Sequence, residues 1–211
     1  MTPRVLSLHV GRAEPLRGKP AAVSAIRKVA QERPLTLGSL GFEGDEQIDK
    51  RYHGGPTRAL CAYSREYYPQ WIELTGNTMP YGSFGENIST EGATDDVVCI
   101  GDEYELGTAR VIITCPRGPC GTLSAHWGDR NLGKAVREAR KSGYYLSTAA
   151  TGTVSPGDEM RLLARPNPAW NLVRVWEVIE ADEVEPELLR ELANLKGLAP
   201  DWVQRAKRRL K

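Results

Sequence analysis

The sequence predicts a mainly β, barrel-like domain with helical insertions, followed by a small three-helix segment. Short apolar runs bounded by glycine or proline recur through residues 1–166, and closely spaced strands of this kind are typical of β-barrels. Helical periodicity is scarce there but fills residues 167–211, where three helical patterns each begin at a proline. We therefore divide the chain into a β-barrel domain, residues 1–166, and a C-terminal three-helix domain, residues 167–211.

Strands are predicted where apolar residues alternate or run together between turn residues. In chain order the predicted strands are residues 5–10, 22–29, 34–40, 97–100, 103–106, 109–114, 144–146 and 160–163. In the first strand Leu6, Leu8 and Val10 share one face, so we expect His9 to point into solvent from the other face. Cys61 and Cys99 lie in apolar runs, which indicates core positions.

Two helices are predicted within the barrel domain. The first begins after Ser64, which suits an N-cap, and ends at Gly76, with Tyr67, Trp71 and Leu74 on one face. The second covers residues 131–141 and is followed by a glycine.

The terminal helices carry three of the five tryptophans, Trp170, Trp176 and Trp202. Isolated helices this short are marginal in water, so they must bury an apolar face. We expect them to dock on the barrel or on a second subunit, and we hypothesise that they help to form a homodimer and wall the mouth of a pocket. The alternative is a simple cap over an exposed face of the barrel.

Charge and composition exclude several classes of protein. With 28 Lys and Arg against 27 Asp and Glu, and no long block of like charge before the tail, the chain lacks a nucleic-acid footprint. The N-terminus lacks a signal-peptide pattern, and no apolar run is long enough to span a bilayer. We expect a cytoplasmic protein without a membrane partner. Four scattered cysteines do not form a disulfide framework, so we expect thiols.

The stretch from Thr114 to Cys120 is the strongest candidate for chemistry. Pro116 and Pro119 stiffen it, and Arg117 places a positive charge near Cys120, which favours the thiolate. The alternatives are an inert buried thiol, a structural zinc site with Cys115, or a redox pair of the two cysteines. Neither a second pair of metal ligands nor a C-x-x-C spacing supports the last two.

Further polar residues lie at strand ends or in glycine-flanked turns, where the loops of a barrel converge. They are Lys19, Arg51, His53, Asn87, Arg117 and Cys120. Cations with a thiolate would bind an anionic ligand that has a soft centre. The alternatives are that Arg51 pairs with Asp45 or Asp49, that His53 is a turn residue, and that Lys19 is an ordinary surface lysine.

Five motifs in order resemble a MOSC domain, the family named for the C-terminal part of molybdenum cofactor sulfurases. They are Gly44-Asp45 with Asp49, His53-Gly54-Gly55-Pro56, Phe84-Gly85-Glu86-Asn87, Cys99-Ile100-Gly101-Asp102 and Pro116-Arg117-Gly118-Pro119-Cys120. The last 45 residues are similar to the three-helix segment of the YiiM type. The resemblance implies a MOSC β-barrel that binds the molybdenum cofactor, in which the dithiolene sulfurs of one pterin hold the molybdenum.

The resemblance also implies roles for the polar residues. Cys120 would give its thiolate to molybdenum, as both catalytic residue and metal ligand, and Lys19, Arg51, His53, Asn87 and Arg117 would contact the cofactor. Family members often have an aromatic residue after the cysteine. Gly121 and Thr122 stand there in this chain, so we expect a pocket that is more open on that side.

The activity implied by the resemblance is reduction of N-hydroxylated compounds such as hydroxylaminopurines and amidoximes. The sequence has no Rossmann fingerprint, no cysteine cluster for iron–sulfur and no evident pair of haem ligands. Electrons would therefore come from a separate NAD(P)H-dependent flavin or haem reductase. The alternatives are a sulfur carrier that holds a persulfide on Cys120 for metal-cofactor assembly, and a cofactor-binding chaperone without activity.

Overall fold

The computed structural model describes residues 2–17, 19–48, 53–118 and 121–210, without the side chain of Pro20. The strands are β1 (Arg4–Gly11), β2 (Glu14–Leu16), β3 (Lys19–Ser24), β4 (Lys28–Gln31), β5 (Leu35–Gly38), β6 (Gly41–Phe42), β7 (Leu60–Ser64), β8 (Ile88–Glu91), β9 (Glu103–Leu106), β10 (Ala109–Pro116), β11 (Tyr144–Ala150), β12 (Gly152–Val154) and β13 (Met160–Ala164). The helices are α1 (Tyr68–Thr75), α2 (Gly121–Trp127), α3 (Leu132–Glu138), α4 (Leu172–Glu180), α5 (Pro186–Ala193) and α6 (Pro200–Arg209). The predicted mainly β fold with helices is confirmed.

Eight strands form one curled sheet in the order β13-β9-β10-β11-β7-β8-β1-β4. Its pairs are antiparallel except β7 with β8, where Ala62 lies opposite Ile88. Parallel neighbours need a crossover connection, and α1 lies within this one. A three-stranded sheet, β12-β5-β6, and the β2–β3 hairpin complete the β-structure. The sheet therefore forms a half-barrel whose loops gather the polar residues.

The terminal helices pack on the sheet. Leu172 and Trp176 of α4 and Trp202 and Ala206 of α6 share one hydrophobic core with sheet residues such as Ile113. The backbone N–H of Ala199 also donates to the carbonyl of Thr114, at 3.0 Å. The expectation that these helices dock on the barrel is confirmed. The homodimer and the boundary at residue 166 stay predictions.

A second, smaller core lies beneath α1, α2 and α3. Its centre is Tyr63, whose ring stacks on Phe84 with centroids 4.2 Å apart, and Trp71 donates to the Tyr63 hydroxyl at 2.7 Å. Leu123 and Leu132 join from α2 and α3. This cluster fixes the position of α2, which begins directly after Cys120.

No helix among the described residues has the length and apolar content needed to cross a membrane.

Several local predictions were wrong. The strand predicted over residues 22–29 is divided between β3 and β4, with residues 25–27 outside both. His9 is fully buried, because the turn at Gly82 covers the second face of β1, where a Cβ added to Gly82 would lie 3.0 Å from the His9 ring. Residues 97–100 form turns with one isolated bridge, from Cys99 to Asn171, rather than a strand. Leu74 is 55% exposed, because α1 begins only at Tyr68, which takes the inward position instead.

Candidate functional site

A cavity of about 930 Å³ opens between the barrel loops and the terminal helices. We call its two sides the barrel wall and the terminal-helix wall. The barrel wall includes Lys28, Asp45, His53, Arg58, Cys61, Asn87 and Arg117, and the terminal-helix wall includes Trp176, Asp201, Trp202, Arg205 and Arg208. The cavity is thus lined by cations on both sides, although the whole chain carries a formal net charge of only +1.

A buried ion pair lies at the base of the barrel wall. The ammonium group of Lys28 donates to Asp45 Oδ1, and the two side chains are 7% and 2% exposed. Asp45 also accepts from the backbone N–H of Gly11, at 2.7 Å, and from Asn87 Nδ2, at 2.8 Å. Because three donors compensate the buried carboxylate, this corner is rigid and keeps the Lys28 cation at the cavity surface.

Asn87 joins three parts of the barrel wall. Its side-chain oxygen accepts from the backbone N–H of Cys61, at 3.1 Å, and Nδ2 donates to Asp45 and to the carbonyl of His9. The preceding turn is held by the buried Glu86 carboxylate, which accepts from the N–H groups of Gly82 and Phe84. Both amide hydrogens of Asn87 therefore have protein partners, and the side chain acts on the cavity by holding Asp45 in place.

A chain of contacts joins His53 to the terminal-helix wall. His53 Nδ1 lies 2.8 Å from the Tyr145 hydroxyl, and the Arg58 guanidinium lies 5.5 Å from the centre of the Tyr145 ring. Arg58 Nη2 donates to Asp201 Oδ2 on α6, at 2.6 Å. Arg58 Nε is buried without a hydrogen-bond partner among the described residues. These contacts connect an imidazole in the cavity with the first turn of a terminal helix.

Arg117 lies at the end of β10, where the chain leaves the sheet. Its N–H donates to the carbonyl of Gly143 at 2.9 Å, and its side chain is buried. Gly118 and Thr122 line the cavity on either side of the segment that contains Cys120. A Cβ on Gly118 would lie 4.0 Å from the Trp176 ring. Both ends of the Cys120 segment therefore border the cavity.

The described thiols near the cavity are protonated at neutral pH. Burial raises the pKa of Cys61 to about 11, although Arg117 acts in the opposite direction. Burial likewise raises the pKa of Cys115 to about 12, against the lowering effect of Arg58. A buried neutral thiol is a poor nucleophile and metal ligand. Within residues 2–17, 19–48, 53–118 and 121–210, no three His, Cys, Asp or Glu side chains group as a metal site.

The structure brings three of the predicted site residues together, His53, Asn87 and Arg117. Lys19 is exposed at the beginning of β3 and does not line the cavity. Arg51 and Cys120 lie outside the described residues. The roles assigned to all six stay predictions.

Sequence reasoning missed two cations of the barrel wall. Lys28 falls inside the predicted strand 22–29 and was not included in the site, whereas in the structure it is the first residue of β4. Arg58 follows the His53-Gly54-Gly55-Pro56 turn and could have been included for that reason. Asp201 and Arg205 carried no signal, because only packing of α6 brings them to the cavity.

Comparison with known proteins agrees with the geometry. The family model of the MOSC domain matches residues 49–161. YiiM of Escherichia coli (strain K12) is 32% identical over 204 residues, which cover 91% of this chain and 85% of that protein. YflK of Bacillus subtilis (strain 168) is 36% identical over 163 residues, 76% of this chain and 73% of that protein. A protein named reductase from Gibberella moniliformis is 34% identical over 82% of this chain but only 31% of its own length.

Solved structures extend the likeness to the terminal helices. YiiM from Geobacillus stearothermophilus superposes with a TM-score of 0.85 at 27% identity, over 99% of this chain and all of that one. YiiM from Escherichia coli gives a TM-score of 0.77 at 26% identity, over 94% and 90%. Fold and cavity define a half-barrel protein with a cavity lined by cations. The chain belongs to the MOSC domain family, a domain associated in general with molybdenum-cofactor binding.

Proposed function

We propose that this protein is a molybdenum-cofactor-dependent reductase of N-hydroxylated compounds, with hydroxylaminopurines and amidoximes as the substrate class. The observation that carries the proposal is the cationic cavity that both ends of the Cys120 segment border. Family membership and the relative named reductase support the general class. The substrate class rests on the family resemblance.

The described residues fit a cofactor of this kind. A pterin dithiolene with its phosphate is anionic, and Lys28, His53, Arg58 and Arg117 offer cationic or donor groups around one cavity. The Nε–H of Arg58 lacks a partner among the described residues, so a donor is available beside the cavity. Cys120 would add the thiolate that a soft metal prefers.

When bound, the cofactor supplies the two electrons that break the N–O bond, so that R–NHOH, two electrons and two protons give R–NH2 and water. The chain's own residues bind, orient and handle protons. Lys28, held by Asp45, places a fixed positive charge at the base of the cavity. The His53 and Tyr145 pair, 2.8 Å apart, can accept and donate protons near the leaving oxygen. The buried Trp176 and Trp202 exclude water from the opposite side.

The electrons are proposed to come from a separate NAD(P)H-dependent flavin or haem reductase. The chain has no dinucleotide fingerprint. The protein from Gibberella moniliformis, whose matching part is about a third of its length, contains additional chain beyond the region shared here. That arrangement is in keeping with an electron source that lies outside the MOSC part.

The test is to produce the protein in a host that makes the cofactor and to measure molybdenum content and turnover together. We expect about one molybdenum per chain, reduction of 6-hydroxylaminopurine or benzamidoxime with dithionite-reduced methyl viologen, and no turnover with NAD(P)H alone. Cys120→Ser should lose turnover, whereas Cys99→Ala should keep it, because Cys99 lies outside the cavity.

Other outcomes would replace the proposal. A persulfide on Cys120 in protein without molybdenum would favour the sulfur carrier. Bound molybdenum without turnover under any reductant would favour a cofactor-binding chaperone. Turnover with NAD(P)H alone would disprove the separate reductase.

A further inference from the structure

One exposed surface next to the cavity carries an excess of positive charge. We call it the arginine face and define it by five cations, Lys134, Arg137, Arg140, Arg205 and Arg208. Three carboxylates lie among them, those of Glu138, Glu177 and Glu180. Because the formal net charge of the whole chain is only +1, a surplus of two on this small area makes it more positive than the average surface.

The carboxylates hold the arginines in fixed positions. Glu180 accepts from Arg137 at 2.5 Å and lies 3.8 Å from Arg205. Arg140 pairs with Glu177 at 2.8 Å. The Glu180 carboxylate therefore contacts two guanidinium groups, those of Arg137 and Arg205. Burial lowers the pKa of Arg205, Glu180 raises it, and the neighbouring Arg137, Arg209 and Arg208 lower it further.

The arginine face is continuous with the mouth of the cavity. Arg205 and Arg208 line the cavity on the terminal-helix wall, and Glu180 connects Arg205 with Arg137 on α3. Arg205 is also held against the rings of Trp176 and Trp202, with its guanidinium carbon 5.6 and 5.3 Å from their centres. A protein that docks here approaches the cavity from the side of α6. Arg208 is exposed and has no ion pair among the described residues.

We propose that the arginine face is the docking surface for a small acidic electron-carrier protein. The inference rests on the proposed function, which needs two electrons per turnover from outside the chain. Each docking event oxidises a reduced flavin or [2Fe–2S] group in the carrier, and carriers that give one electron must dock twice for the two electrons that each substrate molecule needs. Redox partners form small, transient interfaces, and opposite charges steer them together. A positive surface beside the site selects a carrier with a negative one.

The test compares a protein electron donor with a small-molecule donor on the cofactor-loaded protein. The probes are an acidic flavodoxin and an acidic [2Fe–2S] ferredoxin, each with its NADPH-dependent reductase, and dithionite-reduced methyl viologen. The variant is Lys134→Glu with Arg140→Glu, and Lys134→Gln with Arg140→Gln is a second variant in case the first fails to fold. Arg33→Glu is the matched control, because Arg33 is an exposed loop residue that does not line the cavity and is not part of the arginine face.

We expect the reversed variant to lower kcat/KM for the carrier about tenfold at low salt, with a smaller difference at about 0.5 M salt, where screening is strong. The neutral variant should also have a lower kcat/KM for the carrier, but the decrease should be smaller. Methyl-viologen turnover and the Arg33→Glu variant should match the unmodified protein. Binding of the carrier, measured by calorimetry without substrate, should weaken in parallel.

Three results would overturn the inference. One is equal carrier kinetics in the reversed and unmodified proteins, and another is an equal loss in Arg33→Glu. The third is methyl-viologen turnover in a protein that neither acidic carrier can reduce. Failure of the proposed function is a different result, because the unmodified protein would then give no methyl-viologen turnover.

Discussion

The barrel wall of the cavity is held by buried, hydrogen-bonded ions, whereas the terminal-helix wall is held by aromatic packing and by ion pairs that are partly open to solvent. Asp45 and Lys28 are nearly inaccessible. On the other wall, Trp176 and Trp202 meet edge to face at 4.9 Å, and Asp201 is 52% exposed. Buried ion pairs fix the positions of charged groups in the cavity, while aromatic packing fixes the shape of the cavity. We infer that the barrel wall sets which anion binds and the terminal-helix wall sets the size of the site.

The largest expected effect comes from breaking the barrel wall. Asp45→Ala leaves the Lys28 ammonium buried without its carboxylate, and Asn87 Nδ2 and the Gly11 N–H lose their acceptor. Loss of one partner of a buried pair costs about 3–5 kcal/mol. We expect that loss in the free energy of unfolding, measured with urea, together with loss of bound molybdenum.

The double variant Asp45→Leu with Lys28→Met is the control for that prediction, because it removes both charges. It should recover most of the stability but not the molybdenum. If Asp45→Ala were as stable as the unmodified protein, the ion pair would not be what holds the barrel wall.

A second prediction concerns the joint between the two walls. The backbone carbonyl of Asp95 accepts the N–H groups of Leu172 and Val173, at 2.9 and 3.3 Å, and so binds the beginning of α4 to the barrel. The Asp95 side chain is fully buried. Burial raises its pKa from 3.8 to about 7, although the Tyr67 hydroxyl and the N–H groups of Ser142 and Gly143 act in the opposite direction.

Because the folded state holds this proton more tightly than the unfolded state does, the stabilisation is complete below pH 3.8 and is lost as the pH rises to about 7. A shift of this size is worth up to about 4 kcal/mol. We expect the free energy of unfolding to fall over that range, and Asp95→Asn to remove most of the fall. Urea unfolding at a series of pH values measures it. An equal fall in Asp95→Asn would assign it to other groups.

Part of each wall is predicted by local sequence. The proline-opened patterns predicted α5 and α6 at Pro186 and Pro200, where both helices begin. Glycine-flanked turns selected His53 and Arg117, which lie in the cavity. Local sequence succeeds here because turn residues and helix starts act over a few residues.

The contacts between distant residues could not be predicted in this way. Arg58 and Asp201 are 143 positions apart, and nothing in either local sequence encodes the other. Alternation in β1 predicted neither the register shift between Val5 and Ser7, which leaves Val5 buried and Leu6 partly exposed, nor that the turn at Gly82 would cover His9. Pairing of Lys28 with Asp45 likewise depends on how β4 lies beside β1. In each case the contact depends on tertiary packing, which the residue pattern of a single strand does not predict.

The smallest expected effect comes from breaking the contact that joins the two walls. Asp201→Ala removes the carboxylate that pairs with Arg58, whose side chain is only 8% exposed. Since Asp201 is half exposed, water reaches the freed guanidinium, and the cost should lie between the values for surface and buried pairs, at about 1–2 kcal/mol. Arg58 would then be held less firmly over the Tyr145 ring, and Tyr145 positions His53. We therefore expect a change in the pH profile of kcat beyond the loss of stability, with partial rescue by Asp201→Glu. Asp182→Ala is the matched control, because it removes an exposed carboxylate from the loop after α4. If Asp201→Ala and Asp182→Ala gave the same pH profile as the unmodified protein, the terminal-helix wall would shape the cavity without positioning His53.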